Sequence, residues 1–294
     1  MKFRKLKHNL HTEVEVSDYS ELQREKYTFD YGIVDHAKNS FENISEDHKY
    51  SLVIPAFNEE KRIAPFLREL SNKIDHHWEV IVVCDGNDRT ASIAREIDDR
   101  FKVMEFNKRL GKGGAIMEGF RASSGDIVGY VDADGALEYE EINKVFHSLS
   151  KDYDVSVGSR WLKNSKVMVK QPIMRILLGR IYHYMSFAVL RLKIKDTQCG
   201  LKAFRMSTVK SLLTSVTLKN LSFDTALLYH CMNAGARIVE VPVTWNDVGG
   251  SKVHPIKTPL IMFFSLVGLR LAHSKSSKKF NVLFDSIREL LENA

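Results

Sequence analysis

Cysteine is scarce in this chain: Cys84, Cys199 and Cys231 are the only three, and they lie far apart. They make no CxxC pair and no Cys/His cluster. That excludes a zinc knuckle and a disulfide-stapled fold, and it points to reduced thiols in a cytosolic protein. Long apolar runs are missing too. The stretch 172–192 is interrupted by Arg180 and His183. The stretch 259–271 is shorter still, so neither reaches the roughly 18–20 apolar residues of a membrane-spanning helix. The start, Met1-Lys2-Phe3-Arg4-Lys5-Leu6-Lys7-His8, has no apolar core behind it as a secretory signal requires. The eleven histidines show no metal-type spacing, and internal repeats and low-complexity tracts are absent. No RNP-like aromatic motif or zinc finger accompanies the net charge of +6, so no nucleic-acid partner is expected.

What is present begins with that charge. Basic residues gather at the amino end and after residue 159, giving a face suited to anionic lipid or a phosphorylated substrate. Residues 1–48 are polar, with scattered aromatics, and read as an amino-terminal extension without chemistry of its own. From Tyr50 a regular alternation sets in. Apolar strands are expected at 51–54, 80–83, 102–106 and 127–131, with helices at 60–74, 90–100 and 113–122 between them. Unbroken apolar strands alternating with helices imply a parallel sheet covered on both faces. A further short strand is expected at 154–158. The stretch 172–192 reads as a long apolar helix with a polar stripe of Arg175, Gly179, His183 and Ser186. With 259–271 and the basic run 273–279, it either lies in a membrane interface or packs on the sheet.

Three polar loops fall at the carboxyl ends of the strands, where ligands of open α/β sheets bind. They carry Pro55, Asn58 and Glu59, then Asp85 and Asn87, then Asp132 and Asp134. Asp132 and Asp134 follow a buried strand two residues apart, so both can point to one place. Two carboxylates there suit Mg²⁺ or Mn²⁺ that also holds phosphate oxygens. Asn58 and Glu59 are candidates for contacts to a ribose or base, and equally for a capped turn before a helix. Asp85 can accept from a nucleobase N–H. The run Gly111-Lys112-Gly113-Gly114 lacks the spacing of a Walker phosphate loop.

As an ordered set, Val53-Ile54-Pro55-Ala56-Phe57-Asn58-Glu59, Asp85-Gly86-Asn87-Asp88, Gly111-Lys112-Gly113-Gly114 and Asp132-Ala133-Asp134 resemble glycosyltransferase family 2. The narrower resemblance is to its dolichyl-phosphate β-glucosyltransferase branch, close to the dolichyl-phosphate mannose synthases. It rests on Gly158-Ser159-Arg160, on Asp196-Thr197-Gln198-Cys199-Gly200-Leu201-Lys202, on Phe223-Asp224, and on Trp245 followed by Gly250-Ser251-Lys252-Val253. It covers about residues 50–254.

The resemblance implies a GT-A (nucleotide-diphospho-sugar transferase) α/β domain over 49–254, with amphipathic, basic helices over 255–294. It implies inverting transfer of a hexose, glucose from UDP-glucose as the first expectation, to a polyprenyl (dolichyl-type) phosphate. The enzyme would be cytoplasmic and peripherally attached to the inner, anionic face of a membrane. Pro55, Asn58, Glu59, Asp85, Lys112, Asp132 and Gln198 would bind the donor, and Asp132 and Asp134 the metal. Arg160, Arg175 and Lys202 would hold acceptor phosphate and donor diphosphate, Asp224 would orient a sugar hydroxyl, and Cys199 would pack.

Alternatives stay open: GDP-mannose as donor, a protein or glycan hydroxyl as acceptor with Asp224 as base, or an inactive nucleotide-sugar-binding protein. A processive polysaccharide synthase is disfavoured, because Gln-x-x-Arg-Trp is missing. Three departures from the pattern stand out. Cys84-Asp85 replaces a double acid, Ala136 takes the place of an extra metal-binding Gln, and Ala226 that of an acid after Phe223-Asp224.

Overall fold

The computed structural model describes residues 49–149, 152–169, 173–213, 222–246, 248 and 257–272. The extension 1–48, the motif at 250–253 and the basic run 273–279 lie outside the described residues, as do the side chains of 173–175, 257–260 and 272.

Four parallel strands build one half of the sheet: β1 (Tyr50–Ala56), β2 (Trp78–Cys84), β3 (Lys102–Glu105) and β4 (Ile127–Val131). Successive side chains of β1 serve opposite faces. Leu52 and Ile54 join a core with Leu67, Leu70, Val80, Val82 and Phe146. Val53 joins a second core with Ile81, Val83, Ile116, Phe120 and Tyr130. Helix α1 (Ile63–Lys73) buries Ile63, Phe66, Leu67 and Leu70, the spacing of one helical face. It begins three residues later than expected, because the Glu59 carbonyl accepts from the N–H groups of Arg62 and Ile63 in a preceding turn. Helices α2 (Thr90–Ile97) and α3 (Gly111–Ala122) follow β2 and β3. Gly111 opens α3 at φ 73°, a left-handed conformation that glycine adopts without strain.

The second half departs from simple alternation. Helix α4 (Tyr139–His147) leads to β5 (Val155–Ser159), the short β6 (Lys166–Val167) and helix α5 (Ile173–Leu190). The chain then returns as β7 (Leu201–Arg205), which inserts between β4 and β5 and runs antiparallel to both. After α6 (Met206–Lys210) and α7 (Phe223–Asn233), strand β8 (Ile238–Pro242) pairs with β5. The order of the seven-stranded sheet is β3-β2-β1-β4-β7-β5-β8. A small separate sheet joins β6 to β9 (Thr244–Trp245). Helix α8 (Lys257–Ala272) packs against α5.

Both apolar helices pack on the sheet, and α5 also leaves apolar side chains exposed. Tyr182 and Leu190 of α5, and Met262, Leu266 and Leu269 of α8, are buried in the second core. Leu177, Ile181, Tyr184 and Phe187 of α5 stand in solvent, Tyr184 at 64% exposure. Among the described residues no helix is long and apolar enough to cross a membrane.

Candidate active site

The carboxyl ends of β1, β2 and β4 bring the polar loops together. Asp132 follows β4, its N–H bonded at 3.1 Å to the carbonyl of Gly200, just before β7. A side chain at Gly200 would run into the Asp132 carboxylate, so glycine there sets how closely the two segments meet. Asp134 turns back to accept from the N–H of Ala136 at 3.1 Å. Burial, and then the negative charge of Asp132, push the Asp134 carboxyl above its ordinary range.

A second carboxylate beside Asp134 in a half-buried turn fits a divalent cation, whose charge would relieve the repulsion. Among the described residues no group of three or more His, Cys, Asp or Glu surrounds a metal position. Phosphate oxygens and water would therefore complete the coordination.

Behind this pair lies a chain of alternating charge. Lys112, in the first turn of α3, places Nζ 2.8 Å from Asp132 Oδ1 and 3.3 Å from Asp224 Oδ2. Asp224, in the first turn of α7, is 2% exposed. Its Oδ1 accepts from Lys202 Nζ at 2.8 Å and from the Tyr130 hydroxyl. Burial alone would raise the Asp224 carboxyl, but Lys112 and Lys202 outweigh it and hold it at about 2. Burial likewise opposes the charge on Lys112, while Asp132 and Asp224 prevail and raise its pKa.

Lys202, expected at a phosphate, lies deep in this chain of charges. Its side chain has no exposed surface, and Nζ is bound to Asp224 and, at 2.7 Å, to the Cys199 carbonyl. Its strand lies between β4 and β5.

Arg160 caps β5 and forms a two-pronged pair with Asp196, Nε to Oδ2 at 2.7 Å and an Nη to Oδ1 at 2.9 Å. Its guanidinium lies over the Trp245 ring, 5.4 Å from the centroid. Asp196 is held in turn by Glu240 of β8, which accepts from the N–H groups of Lys195 and Asp196. Burial would raise the Asp196 carboxyl, but Arg160 keeps it below the usual range. Arg175 lies in α5, yet its side chain is outside the described residues. Two other members of the α5 stripe, Gly179 and His183, face Trp161, whose ring meets that of His183 edge-on at 5.5 Å.

The loop residues turn out to bind one another. Asn58, at φ 54°, accepts from the N–H of Asn87 at 3.1 Å. The Glu59 N–H donates to Thr90 Oγ1 at 2.9 Å, and its carboxylate grips Arg62. Pro55, half-buried, is the next-to-last residue of β1. Gln198 donates to Thr225 Oγ1 at 3.0 Å, and Tyr182 donates to the same oxygen.

Asp85 differs most from the reading of its sequence. Its carboxylate accepts from an Nη of Arg109 at 2.6 and 2.5 Å and from the N–H groups of Leu110 and Gly111 at 2.8 and 2.9 Å. It braces the loop that carries Lys112. The Arg109 guanidinium stacks on Phe57, 3.5 Å from the centroid.

Sequence reasoning missed Arg109, Tyr130, Asp196 and Thr225. Arg109 carried a signal, a second cation three residues before Lys112. Tyr130 carried none, since a strand aromatic reads as core. All three cysteines are free and buried. Burial pushes the Cys199 thiol up to about 11 and the Cys84 and Cys231 thiols up to about 12.

Residues 51–213 match the family described as glycosyl transferase family 2. The dolichyl-phosphate beta-glucosyltransferase of Dictyostelium discoideum is 31% identical over 255 residues, covering 80% of this chain and 77% of that protein. The enzyme of the same name from Homo sapiens is 29% identical over 249 residues, covering 78% and 77%. Among solved structures, glucosyl-3-phosphoglycerate synthase from Mycobacterium tuberculosis, in complex with Mn²⁺, UDP and glucosyl-3-phosphoglycerate, superimposes with a TM-score of 0.57. That match is 20% identical and covers 76% of this chain and 79% of that one.

Proposed function

The chain belongs to glycosyltransferase family 2, and from that premise we propose that it transfers glucose from UDP-glucose to dolichyl or another polyprenyl phosphate, with inversion, at the cytosolic face of a membrane. The observation that carries the choice of acceptor is the state of Asp224. A hydroxyl acceptor needs a carboxylate to take its proton. Asp224 is sealed, engaged by Lys112, Lys202 and Tyr130, and too acidic to serve. A phosphate monoester, with a second pKa of about 6, is anionic near neutral pH and needs no such base.

Asp132 and Asp134 hold the divalent cation, Mg²⁺ or Mn²⁺. Held by these two acids, it would supply positive charge against the donor diphosphate and its leaving nucleotide. Lys112, 19% exposed and rooted in a helix start, meets the same diphosphate from the other side. Asn58, Glu59 and the Phe57–Arg109 stack line the nucleoside end, while Gln198 positions the floor through Thr225. Arg160, held by Asp196 and Trp245, serves the acceptor phosphate, and Arg175 of α5 is the second cation assigned to it. Lys202 acts on the substrate only through Asp224, by keeping that carboxylate ionised and fixed.

The likeness to dolichyl-phosphate beta-glucosyltransferases supports the lipid-borne acceptor. The apolar residues exposed on α5, flanked by exposed Arg180 and Arg191, suit an anionic lipid surface. The prenyl tail would then run along α5 while its phosphate faces Arg175.

The test is a panel of radiolabelled nucleotide sugars incubated with polyprenyl phosphate and membranes, with product extracted into organic solvent. Label from UDP-glucose should enter the organic phase. Label from GDP-mannose alone would overturn the donor, and label confined to protein or soluble glycan would overturn the acceptor.

A further inference from the structure

Lys112 is one ammonium shared by two carboxylates with different fates. Asp224 is sealed and already has Lys202 as a permanent partner. Asp132 opens toward the cleft and has Lys112 at 2.8 Å as its ion-pair partner among the described residues. A doubly charged ion arriving at Asp132 meets this ammonium at short range, in a half-sealed place where screening is weak.

We infer that Lys112 and the divalent cation compete for Asp132, so that tight metal binding waits for a diphosphate to draw the ammonium away. The inference rests on the reading of Asp132 and Asp134 as the cation-holding acids. Its geometry has three parts. Lys112 can leave Asp132 without losing every partner, since Asp224 Oδ2 remains at 3.3 Å. Its root is fixed, because Asp85 binds the N–H groups of Leu110 and Gly111 immediately before it. Lys202 cannot replace it at Asp132, being bound to the Cys199 carbonyl and to Asp224. Metal and nucleotide diphosphate then strengthen one another's binding by an equal factor, as linkage requires. Lys112 is a positioning residue in this role, distinct from any contact it makes with the diphosphate.

The measurement is Mn²⁺ binding to the full chain, followed by the electron paramagnetic resonance of free Mn²⁺, with and without UDP. In the unaltered chain UDP should tighten Mn²⁺ binding by roughly tenfold or more, about 1.4 kcal/mol. In Lys112→Met and Lys112→Gln, Mn²⁺ alone should bind roughly tenfold more tightly than in the parent, and the gain from UDP should shrink. Neutral variants that fold, by circular dichroism and melting, yet bind Mn²⁺ alone no better than the parent would overturn the inference. So would a parent chain whose Mn²⁺ affinity ignores UDP, a result that needs no variant. Asp134→Ala separates the layers. If it binds Mn²⁺ like the parent, the acid pair is not the metal site and the inference falls with that reading. If it loses Mn²⁺ while the Lys112 variants behave like the parent, the inference alone falls.

Discussion

Lys202 Nζ meets Asp224 Oδ1 at 2.8 Å with both side chains shut off from water. Removing one partner of a buried ion pair costs about 3–5 kcal/mol where the other is left alone. Here Lys112 and Tyr130 still hold Asp224, so the low end applies. Lys202→Met should therefore lower the melting temperature by roughly ten degrees, measured by circular dichroism at neutral pH. A melting point within a degree or two of the parent would show that the pair contributes little.

The same carboxylate sets an acid limit. Asp224 is held at about 2 and Asp98, bonded by Arg100 and Ser71, also at about 2, against about 3.9 in an unfolded chain. Folded values below unfolded ones give stability that is present above pH 4 and lost as pH falls toward 2. Denaturant midpoints recorded from pH 6 to pH 2.5 should be level at first and drop below pH 4. In Asp224→Asn that drop should be shallower.

Acceptor chemistry is read by a pair of variants. A charged hydrogen bond to phosphate is worth about 1.5–3 kcal/mol. Arg175→Ala should then raise the acceptor KM by roughly ten- to a hundred-fold, with donor KM little changed. Asp224→Asn should be milder at saturating donor, since no proton needs removing. The opposite order, with Asp224→Asn nearly dead and Arg175→Ala nearly normal, would favour a hydroxyl acceptor.

Asp134→Ala should abolish transfer while leaving the melting curve close to the parent, because this half-buried side chain is not part of the apolar core. EDTA should silence the parent enzyme, and Mn²⁺ or Mg²⁺ should restore it. Full activity in EDTA would refute the metal's part.

The apolar face of α5 gives a binding prediction. The chain should sediment with anionic vesicles at low salt and be released as salt screens the basic residues. Replacing Tyr184 and Phe187 by Ser should weaken sedimentation without unfolding, since both are exposed. Protein remaining in the supernatant with anionic vesicles at low salt would exclude the interfacial placement.

The parallel half of the fold was legible because it is local. Unbroken apolar strands such as Val80 to Val83 and the single-face spacing of Ile63, Phe66, Leu67 and Leu70 declare themselves over a few residues. The return strand was not, because Leu201-Lys202-Ala203-Phe204 carries a buried lysine that breaks the apolar run. Its charge is tolerated through Asp224, twenty-two positions away. Helix α7 hid for the opposite reason: residues 223–229 are all buried, so no amphipathic period exists to read.

The site residues were legible as a set and less so in their parts. Side-chain chemistry marks Asp85, Arg160 and Lys202 as polar groups near a cleft. Only the packing shows that Asp85 is taken by Arg109 and two amides, and Arg160 by Asp196. Sequence spacing carries no record of which carboxylate a given cation will choose.

The reversed strand β7 also binds the two halves into one unit of folding. Pulling it out would bare the edges of β4 and β5 at once, and with them rows of unpaired N–H and carbonyl groups. The two halves of the sheet should thus melt in a single step. A shortened chain ending before β7 would keep β4 as an open edge, inviting a neighbouring chain to take the empty place and driving aggregation.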